Sequence, residues 1–143
     1  MGVMILLPAM PKAAGAFRRA IEAARERSDV ARAVCVASSS PESIVSGGKA
    51  AMGKLAGALA AEEARRAQEA LAALCSLAER CGLSLSTSVE TGNLVQCAGA
   101  IIRKCRADQV VLIRPRSELL ADEVDRTADA LEDTFDGELV IIR

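Results

Sequence analysis

The chain of 143 residues contains no histidine, no tryptophan and no tyrosine, and only two phenylalanines. Without imidazole there is no Ser-His-Asp or Cys-His catalytic apparatus and no His-containing zinc site. With only two aromatic rings there is no stacking platform for single-stranded nucleic acid. Long apolar runs are missing too. Val3 to Leu7, the longest aliphatic run near the start, is followed at once by Pro8 and Pro11. That run is too short to span a bilayer and has no cationic flank of the signal-peptide kind. Met1-Gly2 also lacks the Ser or Thr at position six that myristoylation requires. A cytoplasmic protein without membrane contact is therefore expected. Eighteen basic against nineteen acidic residues give a net charge of −1, so no global basic field points to nucleic acid.

What is present suits one domain over residues 1–143. Hydrophobic residues reach 51%, inflated by 28 alanines, so the core must come from Leu, Ile, Val and close helix contacts. Nine carboxylates against Arg126 between Glu118 and Glu138 read as a solvated helix face, or alternatively as a surface for a protein partner. The five cysteines form no Cys-x-x-Cys pair and read as reduced, mostly buried, small apolar residues.

Periodicity orders the chain. Val3–Leu7 and Val110–Ile113 are continuous apolar runs, as in strands buried on both faces, and Ala33–Ala37 and Leu139–Ile142 are two further apolar runs of strand length. Leu83–Val89 alternates and predicts a strand nearer a sheet edge. Helical spacing appears from Lys12 to Arg27, up to Cys81 with Gly82 as a C-cap, from Asn93 to Cys105, and from Ser117 to Phe135. The second helix taken from Ala50 would be roughly 48 Å long, against a radius of gyration of about 14–15 Å. It is therefore expected to start late, near Gly53 or Gly57, or to protrude. Strand–helix alternation closed by a last strand predicts a five-stranded parallel α/β sheet with helices on both faces, Rossmann-like. Ligands of such sheets sit beyond the strands' carboxyl ends.

The chain resembles the universal stress protein family, within the wider adenine-nucleotide-hydrolase-like group of folds. The resemblance rests on this order and on Val89-Glu90-Thr91-Gly92-Asn93 through Ala107-Asp108-Gln109-Val110-Val111-Leu112-Ile113. ATP-binding members of that family carry an Asp after the first strand, where this chain has Pro8-Ala9-Met10-Pro11. They also carry a glycine-rich phosphate loop after the fourth strand. Here Ile113-Arg114-Pro115-Arg116-Ser117 stands in that place, and no glycine lies between Gly99 and Gly137. A close amide cradle is hard to form without glycine. The resemblance thus implies the ATP-independent branch, or a ligand other than ATP.

Among candidate sites, Arg114 and Arg116 with Ser117 precede a helix and suit an anion. Alternatively, the two arginines pair with the acidic helix that follows. Ser38 and Ser39 can donate hydroxyls to such a ligand or simply form a turn. Ser46-Gly47-Gly48-Lys49 lacks P-loop spacing and reads as a linker. Ser117 is expected to cap the last helix. Carboxylates such as Glu62-Glu63 and Asp122-Glu123-Asp125 are expected to face solvent. Leu139, Val140, Ile141 and Ile142 are short and terminal, hence candidates for a sheet edge, or alternatively for a central strand with both neighbours in its own sheet. In the family this strand pairs with its two-fold mate, which implies a homodimer. No catalytic residue, metal or cofactor is assigned. The leading expectation is a non-enzymatic, stress-associated binding or regulatory protein that does not bind ATP. The alternative is a protein, enzymatic or not, for a small anion or nucleotide held by Arg114 and Arg116.

Overall fold

The structure is a computed structural model that describes residues 2–37 and 50–143, with the side chains of the second helix described from residue 61. Ser38, Ser39 and the Ser46–Lys49 stretch lie outside the described residues. The elements are β1 (Gly2–Pro8), α1 (Ala14–Arg27), β2 (Val30–Ala37), α2 (Ala50–Cys81), β3 (Ser84–Thr91), α3 (Leu94–Cys105), β4 (Ala107–Ile113), α4 (Glu118–Thr134) and β5 (Glu138–Ile142). All strand pairs are parallel, in the order β3-β2-β1-β4-β5. This is the expected α/β architecture, with β1 central and β3 and β5 at the two edges.

Alternation along the central strands divides the core in two. Val3, Ile5 and Leu7 face Phe17, Ala20, Ile21 and Ala24 of α1 and Ala67, Ala70, Leu71, Leu74 and Ala78 of α2. Met4, Leu6, Val34 and Val36 face Leu94, Ala98 and Ile102 of α3 and Val124, Ala128 and Leu131 of α4. Period-two strands thus feed period-3.6 helix faces on both sides of one sheet. Ala20 and Ala24 of α1 and Ala67, Ala70 and Ala78 of α2 are buried on the α1 and α2 side, where a side chain of one carbon allows close approach. Among the described residues no helix is long and apolar enough to cross a membrane.

Several boundaries differ from those expected. The 32-residue α2 is continuous from Ala50, through Gly53 and Gly57, so the late start is overturned. Each interior glycine costs about 1 kcal/mol relative to alanine, which the rest of the helix outweighs. β2 begins at Val30 because its main chain pairs with Ser84 of β3, although Val30 itself is exposed. α1 starts at Ala14 rather than Lys12.

Helix ends follow local chemistry. Gly82, at φ +75°, ends α2, and the Leu83 amide reaches back to the Ala78 carbonyl at 2.9 Å. Asn93 Oδ1 accepts from the Val95 amide at 2.9 Å and the Gln96 amide at 3.4 Å, capping α3. Ser117 occupies the N-cap position of α4, but its hydroxyl makes no capping bond, so that expectation fails. At Gly137 a Cβ would land on the Asp108 carbonyl and the Phe135 ring, so the turn into β5 requires the missing side chain.

Candidate functional site

The chain leaves β1 to build one half of the sheet through β2 and β3, and returns through β4 to build the other with β5. The carboxyl ends of β1 and β4 therefore diverge, leaving a crevice. A cavity of about 560 Å³ lies there, lined by Met10–Ala16, Arg19, Arg114–Ser117 and Arg143. Its charged lining is Lys12, Arg19, Arg114, Arg116 and Arg143, five cations with no Asp or Glu side chain among the described residues. The amino terminus of α1 opens onto it, with no acidic residue in its first turn and no side-chain cap on Ala13. Its free amides add donors and a partial positive charge. Ala9 and Met10, by contrast, turn into the core, where the Ala9 amide bonds the Val36 carbonyl at 3.1 Å.

The five cations are not equivalent. Arg114 is clamped to Asp125 of α4 through Nε and Nη2 at 3.0 and 3.1 Å. That hydrogen-bonded guanidinium holds the Asp125 carboxyl below the usual carboxylate range. Pairing with the acidic helix is thus realised for Arg114, a residue that also lines the cavity. Arg19 donates to the Arg143 main-chain oxygen. Lys12 and Arg116 make no ion pair with any described residue, and both are exposed. The Arg114 amide bonds the Ile142 carbonyl at 2.8 Å, which fixes the end of β5, and so Arg143, beside this loop.

Of the residues singled out from sequence, Arg114, Arg116 and Ser117 come together here. Lys12, Arg19 and Arg143 were missed, although each lies at or just past a strand's carboxyl end or on the helix that follows. Pro115 is buried and supplies no amide. Leu139, Val140, Ile141 and Ile142 form edge strand β5 and are each half-buried.

Two expectations need correction. The Asp122-Glu123-Asp125 group is not simply solvated, because Asp125 holds Arg114 and Glu123 Oε1 accepts from the Leu94 amide at 3.3 Å. Nor are the cysteines mostly buried. Cys35 is buried, Cys75, Cys97 and Cys105 are half-buried, and Cys81 is exposed at the end of α2. Burial, reinforced by the Glu63 charge, pushes the Cys35 thiol up to about 12.

No protein-family profile matches the chain, and no curated protein sequence does. Solved structures do match over nearly the full length. The universal stress protein UspA of Lactobacillus plantarum has a TM-score of 0.70 at 18% identity, covering 99% of this chain and 97% of that one. A universal stress protein of Archaeoglobus fulgidus has a TM-score of 0.57 at 17% identity, covering 100% and 94%. A universal stress protein in complex with cAMP has a TM-score of 0.57 at 10% identity, covering 99% and 97%. The chain thus has the fold of the universal stress proteins.

Proposed function

We propose that this chain is a cytoplasmic member of the universal stress protein family that holds a small, multiply charged anion in the cavity between β1 and β4. It acts by binding and regulation rather than catalysis. One observation carries the reading: five cationic side chains and an uncapped helix amino terminus converge on a cavity without an acidic side chain among the described residues. Within that lining the charges of Lys12 and Arg116 stay without an ion-pair partner among the described residues until an anion arrives, and charge-assisted bonds from guanidinium are among the strongest available. Ser117 is the one described hydroxyl in the lining, and no thiol or carboxylate stands beside it as a base. This favours binding over chemistry.

Adenosine is not part of what is read. The stretch after β1 supplies buried Ala9 and Met10 rather than a carboxylate, and the loop after β4 contains no glycine. The neighbour that holds cAMP is consistent with anionic ligands in this fold. Phosphorylated metabolites and short polyphosphates fit the charge and the volume. A thermal-shift series with phosphate, pyrophosphate, tripolyphosphate and adenosine tests the reading. Pyrophosphate and tripolyphosphate should raise the melting temperature as free ligand stabilises the native state, adenosine should not, and Arg116→Ala should remove most of the shift. Equal shifts in the variant and the parent would contradict it.

A second reading concerns assembly. Edge strand β5 presents one row of main-chain groups to no neighbour within the described sheet, with Leu139 to Ile142 only half-covered. An aliphatic edge of this kind needs covering, and a two-fold mate of the same chain supplies it.

A further inference from the structure

At the opposite end of the sheet, a second cavity of about 460 Å³ opens below the amino ends of β1 and β2, within the range of small-molecule sites (about 300–1,000 Å³). Strand register explains its lining. Arg32 stands between Met4 and Ser86 in the neighbouring strands. Its parity with Val34 and Val36 directs it to the α3 face of the sheet. Cys105 is the last residue of α3, and Ala107 pairs with Gly2, where a Cβ would meet nothing within 4 Å. Arg32 Nη1 donates to Cys105 Sγ at 3.3 Å, and Lys104 lines the same space. No acidic side chain does so among the described residues.

The other thiols are placed differently. Cys35 is sealed in the core, and the Cys97 thiol is pushed up by burial and by the charges of Glu90 and Glu123. Cys75 and Cys81 line none of the cavities described here. Cys105 alone among the described thiols combines a cavity of ligand size with two cations.

We propose that Cys105 is a thiol-exchange site that accepts a small carboxylate-bearing thiol of the glutathione class as a mixed disulfide. The co-reactant is the oxidised, disulfide form of that small thiol. Cys105 gives its proton to solvent and its sulfur attacks one sulfur of the incoming disulfide. A new S–S bond forms, the old one breaks, and the second half departs as a thiolate that takes up a proton. One thiol is consumed and one released, so no further oxidant is needed, and excess small thiol reverses the step. Arg32 and Lys104 receive the carboxylates of the retained half. This site is independent of the anion cavity at the other end of the sheet.

The test treats the intact protein with oxidised glutathione, an anion, and separately with a neutral aromatic disulfide, locating the adducts by peptide mass spectrometry. Cys105 should be glutathionylated ahead of Cys97 and Cys35. Arg32→Gln should slow the anionic reagent at Cys105 about tenfold, the low end of electrostatic steering, while changing the neutral rate less than twofold. Lys104→Gln should act in the same direction and guards against a folding effect of the first variant. Cys105 left unmodified while Cys81 reacts, or equal slowing of both reagents by Arg32→Gln, would overturn the assignment.

Discussion

Arg114 shows how one side chain can serve two purposes. Its guanidinium makes a bidentate bond to Asp125, and the same residue lines the cavity. The pairing holds the Asp125 carboxyl below its unfolded value of about 3.9. Its contribution to stability is therefore complete above that range and is lost as pH falls through the lowered folded value. Asp125→Asn should melt lower than the parent at neutral pH, by a modest margin because both groups are about a third or more exposed. The two melting curves should converge on acidification, as a thermal series from pH 7 to strongly acid conditions would record. Identical melting temperatures at pH 7 would mean that the pair contributes nothing. Arg114 and Arg116 were readable from sequence because they flank a strand end. Lys12, Arg19 and Arg143 were not, since only the strand order β1-β4-β5 sets their distant positions side by side.

Elements with strong local signals were legible, and those decided by pairing or continuity were not. Gly82 and Asn93 mark helix ends by their own chemistry, a positive φ in one case and an amide-accepting side chain in the other. Asn93→Ala should cost about 1 kcal/mol, within the usual range of about 0.5–2 for a cap, read by chemical denaturation as a lower midpoint at unchanged slope. Ser117→Ala, at a cap position without a cap bond, should stay within about 0.5 kcal/mol of the parent. An equal loss in the two variants would contradict the distinction drawn between these helix starts. The beginning of β2 escaped the pattern because Val30 and Arg32 are exposed, and their places follow from the ladder to β3 rather than from hydropathy. The start of α2 escaped it because the length of the helix was weighed against the size of a compact domain, whereas helical hydrogen bonding continues through Gly53 and Gly57 as one cooperative unit.

At the scale of the whole molecule, the sheet separates three surfaces: a cationic crevice at its carboxyl ends, a thiol cavity at its amino ends, and an aliphatic edge at β5. Each follows from where the topology sends strand ends, and the fold itself was legible because β-α alternation admits few arrangements. If β5 pairs with its mate, sedimentation should give a dimer at micromolar concentration, and Leu139→Lys should give a folded monomer. A monomeric parent would remove that interface. The anion crevice is the central claim, and calorimetric titration with tripolyphosphate and ATP in parallel tests it most directly. Tripolyphosphate should bind at least as tightly as ATP, in competition with it, and Arg116→Ala should weaken both. Tight ATP binding that tripolyphosphate cannot displace, or no heat from either ligand, would contradict the account.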